Sequence, residues 1–288
     1  MSINNPYLKF VSEYARLINE GTGCQLGGFP PVARSSLAKD APRALLFSPH
    51  PDDECVVGAL PLRLLRELKT NVINVAVTQG SRKDRQMERL NELRNACDYL
   101  GFGLIQTAEC GLEKINITSR KQSPASWAKS VQIVAGIIAD NKPHVIFLPH
   151  ENDWNSTHIG THLLVADALQ SLPESFCCWV CHTEFWAPMD NPNLMIETSV
   201  ADLADLVAAL SFHVGEVSRN PYHLRLPAWM QDNVRRGGEL VGGQGTEPPN
   251  FTFAVLYRLQ KWTHHRLELG ENTGKFVSCN VSLKLIVG

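Results

Sequence analysis

Short, unbroken apolar runs alternate with longer amphipathic stretches through the middle of the chain. Leu45–Pro49, Val72–Val77 (VINVAV), Val145–Leu148 (VIFL) and Cys177–Phe185 have the character of strands buried on both faces. Val56–Lys69, Gln86–Leu100, Ser126–Asp140 and His158–Leu169 repeat apolar residues at helical spacing, and Gly101 stops the second of them. Strands alternating with such helices predict βαβ units and an α/β fold with a mostly parallel sheet. An amphipathic helix over residues 6–19 and a Gly- and Pro-rich lead-in over 20–40 come first. After about Pro188 the pattern weakens. Ala201–Phe212 reads as a helix, Pro221–Gly245 as a polar stretch whose glycines let a loop bend, and the final VSLKLIVG as strand-like. The chain thus divides into a lead-in (1–40), an α/β core (41–190) and an irregular C-terminal part of the same domain (191–288).

Composition narrows the function classes. The 288 residues are 44% hydrophobic with a net charge of -2, enough for a large core and without the basic run that nucleic-acid binding needs. No apolar span approaches the length of a transmembrane helix. The opening MSINNPYLKF lacks the basic-then-apolar pattern of a signal peptide, so a cytoplasmic protein is expected. The eight cysteines then read as reduced, mostly buried small hydrophobes. Cys177-Cys178-x-x-Cys181 has no second cysteine pair to complete a four-thiolate zinc site.

Two polar clusters stand where strands end, the place at which open parallel sheets bind ligands. The first is His50-Pro51-Asp52-Asp53-Glu54; the second runs from His150 to His158. A catalytic zinc takes about three nitrogen or oxygen ligands and keeps one position for water. His50 and Asp53, three apart across a turn, can reach one ion, and a histidine of the second cluster completes the set. Asp52 is then free as a base beside the metal. The plainer alternative is that an aspartate here caps the following helix, with Glu54 favouring its positive end. A cap alone leaves the second cluster unexplained.

These residues resemble the LmbE-like, or PIG-L-like, zinc-dependent N-acetylglucosamine deacetylases. His50-Pro51-Asp52-Asp53-Glu54 matches the family signature; Thr78-Gln79-Gly80, Arg89-x-x-Glu92 with Ala96 and Leu100-Gly101, and Pro149-His150 through His158 follow in order, over roughly residues 43–190. The resemblance implies a Rossmann-like three-layer α/β/α sandwich. It implies His50, Asp53 and His158 as Zn2+ ligands, Asp52 as the general base on a zinc-bound water, and Arg89 on the substrate. The implied reaction removes an acetyl group from a small amino-sugar conjugate. The same ligands would also accept iron, cobalt or nickel, and the resemblance leaves a homo-oligomer open.

One departure stands out. Many relatives carry an oxyanion-stabilising histidine three residues before the last ligand, and here that position is Asn155. An amide can donate a hydrogen bond to an oxyanion, a contribution worth about 3 kcal/mol elsewhere, but it is no acid. Asp52 then serves as base and acid alone, or His150 or His162 helps. Asp153 is expected to orient a ligating histidine, His162 to support the site from behind, and Trp154 and Glu184-Phe185-Trp186 to line a cleft. His213, His223 and the pair His264-His265 read as structural or solvated. Three rivals remain in view: a zinc amidohydrolase on a non-sugar amide, a non-catalytic ligand-binding protein on the same fold, and a nucleotide-binding Rossmann protein. The last requires a Gly-x-Gly-x-x-Gly turn after the first strand, where this chain has His-Pro-Asp-Asp-Glu.

Overall fold

The computed structural model describes residues 5–32, 36–270 and 274–287. The rest of the lead-in (1–4 and 33–35) and the terminal Gly288 lie outside the described residues. The chain runs α1 (Leu8–Gly21), β1 (Arg43–Ser48), α2 (Asp53–Val56), α3 (Ala59–Leu68), β2 (Asn71–Ala76), α4 (Gln86–Leu100), β3 (Gly103–Gln106), α5 (Ile117–Gln122), α6 (Pro124–Asn141), β4 (Val145–Pro149), α7 (Ser156–Gln170) and β5 (Cys178–Thr183). It continues as β6 (Leu194–Glu197), α8 (Val200–Leu210), α9 (Val214–Val217), α10 (Leu226–Gly242), β7 (Ala254–Thr263), β8 (Arg266–Leu269), β9 (Lys275–Val277) and α11 (Lys284–Val287). No described helix is long and apolar enough to cross a membrane.

The strands form one sheet in the order β3-β2-β1-β4-β5-β7-β6-β9, with β8 paired to β7. From β3 to β5 every pairing is parallel, and β7 then runs antiparallel to both β5 and β6. Period-two alternation sends Leu45, Phe47 and Ile146 to one face, with α6 and α7, and Ala44, Leu46 and Phe147 to the other, with α3, α4 and α8. Helices on both faces of a mostly parallel sheet make the expected three layers. β1 and β4 are parallel neighbours, Ala44 opposite Val145, so their two polar clusters end side by side.

Expectation and structure part after Pro188. The Pro221–Gly245 stretch is a 3-10 turn (Tyr222–Arg225) followed by the seventeen-residue helix α10, not a bending loop. The glycines inside α10 serve close packing, since a Cβ on Gly237 would come within 2.3 Å of Met195 Cε and 2.6 Å of Leu256 Cδ2, while Gly243 and Gly245, at φ 98° and 81° in open space, do let the chain bend after the helix. The last residues form the short α11 instead of a strand, with Ile286 and Val287 buried in the main core. Near the first cluster, the single helix expected over Val56–Lys69 is two pieces, α2 and α3, meeting at Gly58.

A second glycine positions the site. Gly160 lets α7 lie against the chain before α5, where a Cβ would stand 2.3 Å from the Ile115 carbonyl oxygen. Gly136 on α6 has no atom within 4 Å of its notional Cβ. Gly160→Ala is therefore expected to cost about 1–3 kcal/mol by overpacking against backbone. Gly136→Ala should instead stabilise by up to about 1 kcal/mol through helix propensity. Urea denaturation of the two variants measures both signs.

Candidate active site

The turn after β1 holds Asp52 at φ 113° and ψ -28°, a left-handed conformation that costs a non-glycine residue about 1–3 kcal/mol. The surroundings hold it there. The backbone N–H of Asp52 donates to Glu54 Oε2 (2.9 Å) and that of His50 to Asp53 Oδ2 (2.8 Å). The Arg89 guanidinium donates to the Pro51 carbonyl (3.0 Å), and the Thr78 hydroxyl to that of Pro49 (2.7 Å). Glu54 is itself clamped by His213, Nε2 to Oε1 at 2.7 Å, with both side chains fully buried. Asp52 occupies the capping position of α2 but its side chain makes no cap bond, so capping does not explain this residue.

His50, Asp53 and His158 converge from the two clusters. His50 Nδ1 lies 3.2 Å from His158 Nε2, His158 Nε2 lies 3.4 Å from Asp53 Oδ2, and His50 Nδ1 lies 3.6 Å from Asp53 Oδ2. Ligand atoms placed tetrahedrally about 2.0–2.1 Å from a zinc ion stand about 3.3 Å apart, so the spacing and the N,N,O donor set both fit one ion. His158 is wholly buried, with the Phe185 ring edge-on at 4.6 Å. Its Nδ1 faces Asp153 Oδ2 at 3.7 Å, longer than a hydrogen bond. Asp153 in turn accepts the backbone N–H groups of Asn155 (2.8 Å) and Trp186 (3.2 Å). Asp153 thus stands behind His158, where an orienting carboxylate belongs.

The two adjacent carboxyls are driven apart. Burial pushes Asp53 up, but the His158 and His50 imidazoles outweigh it and hold it below the ordinary range. For Asp52, burial and then the Asp53 charge dominate and raise the carboxyl to about 6, against His213, Arg89 and Tyr222. A cation bound beside it would favour the charged form and draw it back down. His158 has burial against it but is raised by Asp53 and Asp153.

A cavity of about 210 Å³ opens over this turn, with Asp52 and Asp53 in its wall among Phe185, Trp186, Tyr222, Trp229, Arg219 and Arg225. The Tyr222 hydroxyl donates to Asp52 Oδ2 at 2.5 Å. Burial and the Asp52 carboxylate push this phenol far up, so it stays protonated. Sequence reasoning missed Tyr222 because it lies in an aperiodic stretch far from the clusters.

Other expected residues take varied places. Asn155 Oδ1 caps α7, accepting from the backbone N–H of Thr157 (2.9 Å) and His158 (3.4 Å), and Asn155 is not in the cavity wall. Arg89 sits behind the turn, 4.0 Å from both Asp52 Oδ2 and Glu216 Oε1, and is not in that wall either. Trp154 is exposed and leans on Trp186, ring centroids 5.8 Å apart, at the rim. Glu184 is buried and paired with Arg236 of α10 at 2.6 Å, so only Phe185 and Trp186 of that trio face the cleft. His213 belongs to the site's support. A second ligand-type group, Glu54, Cys55 and His213, is already closed by its own hydrogen bonds, and burial pushes the Cys55 thiol well up, away from the thiolate a metal needs.

His150 and His162 face away from Asp52. His150 Nε2 bonds the Ala187 carbonyl (2.8 Å) and His162 Nδ1 that of Pro149 (2.9 Å), and with His182 they line a separate cavity of about 260 Å³. The structure therefore gives neither a place beside Asp52. His182 Nε2 is buried with no hydrogen-bond partner, and burial pushes its imidazole down to about 3.

Comparisons with known proteins bear on the fold and on one segment of the chain. Residues 45–169 match the family model described as PIG-L: GlcNAc-PI de-N-acetylase. A comparison with curated proteins gives no match. Among solved structures, the conserved protein TT1542 of Thermus thermophilus is 16% identical with a TM-score of 0.56, over 75% of this chain and 93% of that one. The N,N'-diacetylchitobiose deacetylase of Pyrococcus horikoshii is 15% identical with a TM-score of 0.55, over 87% and 92%. The 4-carboxy-2-hydroxymuconate hydratase of Pseudomonas putida is 16% identical with a TM-score of 0.54, over 76% and 95%. At these identities the likenesses establish the fold. The segment that matches the PIG-L family model contains all three proposed metal ligands.

Two outcomes are expected. Metal-stripped protein should bind one equivalent of zinc in a calorimetric titration, and Asp53→Ala or His158→Ala should abolish that tight binding. For His182 the folded-state value lies below the ordinary 6.5, so its contribution is intact above about 6.5 and is lost as the pH falls toward 3. Urea midpoints should decline over that window, and less steeply in His182→Leu.

Proposed function

We propose that the chain is a zinc-dependent deacetylase that hydrolyses the acetamide of an N-acetylglucosamine-type sugar or conjugate. One observation carries the reading: Asp52, a carboxyl free of metal-ligand duty, is held by a strained turn next to three atoms spaced for a single ion. The deacetylase named among the fold neighbours and the description of the family model support the reaction class. The aromatic walls Phe185, Trp186 and Trp229 suit the apolar face of a pyranose ring.

His50, Asp53 and His158 would hold the ion, which when bound supplies a Lewis acid and lowers the pKa of water to about 7. The remaining steps belong to the chain. Asp52 takes a proton from the attacking water as the new carbon–oxygen bond forms. The tetrahedral carbon then loses its bond to nitrogen, and Asp52 returns the proton to the departing amine, leaving the free amino sugar and acetic acid, which gives up its remaining proton to solvent as acetate. Buried Glu54 and His213 hold Asp52 between these transfers. The muconate hydratase among the fold neighbours keeps a second reading alive, since water addition also needs a positioned base.

Acetate release from a panel of N-acetylglucosamine compounds tests the proposal. Zinc-reloaded protein should release acetate, stripped protein should not, and Asp52→Asn should lose at least about a hundredfold in kcat while still binding zinc. Zinc binding without release from any member of the panel would sink the sugar-deacetylase reading.

A further inference from the structure

The oxyanion donor expected at Asn155 is committed elsewhere. Its side-chain oxygen ties off the first turn of α7, and the residue stands outside the cavity wall. His150 and His162 point their rings into a different cavity. A tetrahedral intermediate formed beside Asp52 therefore needs a donor from another part of the chain.

Besides Tyr222, the donors in the wall are the Trp186 and Trp229 indoles, exposed Asn220 and two arginines, and none of these is hydrogen-bonded to Asp52. Arg219 is mostly exposed and pinned to Glu216 at 2.7 Å, and Arg225 is exposed. Tyr222 differs: it is half-buried, its neutral hydroxyl already reaches Asp52 Oδ2 at 2.5 Å, and the 3-10 turn Tyr222–Arg225 that carries it runs directly into α10. Resting on the deacetylase reading above, we propose that Tyr222, and not Asn155, is the catalytic residue that donates a hydrogen bond to the oxyanion.

The exchange follows from acceptor strength. In the free protein the phenol O–H donates to the Asp52 carboxylate, a charge-assisted bond. When Asp52 takes the water proton, its oxygens become weak acceptors, while negative charge appears on the former carbonyl oxygen of the substrate. The phenol then turns its donation to that oxygen, and returns it when Asp52 gives its proton to the leaving amine. No proton leaves Tyr222 at any stage, so the balance of the hydrolysis is unchanged. The phenol also keeps Asp52 Oδ2 occupied before substrate arrives, leaving Oδ1 for the water.

The test reads binding as well as turnover. Wild-type and Tyr222→Phe proteins are loaded with zinc, and the affinities of methylphosphonate, a tetrahedral anion, and of acetate, the planar product, are measured by calorimetry. Tyr222→Phe should bind methylphosphonate at least about tenfold more weakly, with acetate affinity changed less than about threefold and zinc affinity unchanged. On a cleaved substrate its kcat should fall about a hundredfold with little change in KM. Equal methylphosphonate binding by the two proteins overturns the assignment. Equal weakening of both anions overturns it too, because that pattern marks a structural role. A wild type that binds methylphosphonate in a Tyr222-dependent way yet releases no acetate from any N-acetylated sugar overturns the deacetylase reading and leaves the donor assigned.

Discussion

The buried contact between Glu54 and His213 is the constraint on which the site depends. It joins the turn after β1 to the start of α9, far apart in the chain, and both side chains are fully out of water. An isolated buried carboxylate would cost several kcal/mol, so Glu54 needs His213, the Asp52 N–H and the Cys55 thiol that donates to it. The cost of burial is offset by position. With Glu54 fixed, the Asp52 backbone is held left-handed, and that conformation separates the directions of two consecutive carboxyls. Asp53 turns toward the histidines and Asp52 toward the cavity. A relaxed turn would lose this division of labour.

The sheet supplies the second half of the arrangement. Because β1 and β4 are adjacent and parallel, their C-terminal ends present His50 and Asp53 beside the start of α7, which delivers His158. Asn155 caps that helix and Gly160 lets it lie close against the Ile115 carbonyl, so the histidine is placed by backbone packing as much as by its own contacts. The same helix end explains why Asn155 has so little freedom. A residue whose oxygen satisfies two backbone N–H groups cannot also swing into a cleft.

The core was legible in the sequence because local signals there agree with the tertiary structure. Gln86–Leu100 is helical with the expected bounds, and VINVAV and VIFL are strands because both faces of the sheet are covered. The His-Pro-Asp-Asp-Glu cluster was readable since chemistry and turn fall within five residues. Legibility failed where packing overrode propensity. Gly237 and Gly238 look like breakers, yet they lie inside α10 because Met195, Leu256 and Pro248 leave no room for side chains there. Tyr222 and His213 reach the site only through tertiary contacts made by the C-terminal part of the chain, across separations that no periodicity reports.

Electrostatics ties the catalytic reading to the fold. Two carboxyls on adjacent residues would ordinarily titrate alike, and a site that needs one as ligand and the other as base must separate them. Here the histidines hold Asp53 down, while burial and the Asp53 charge lift Asp52 to about 6. His213 below, Arg89 behind and Tyr222 beside Asp52 all oppose that lift. They keep Asp52 from becoming too weak an acid to ionise near neutrality. A stronger base and an ionised one are competing demands, and a base poised near the working pH serves both. The strained turn, the clamp beneath it and the phenol beside it are thus parts of one device, set by residues from both ends of the domain.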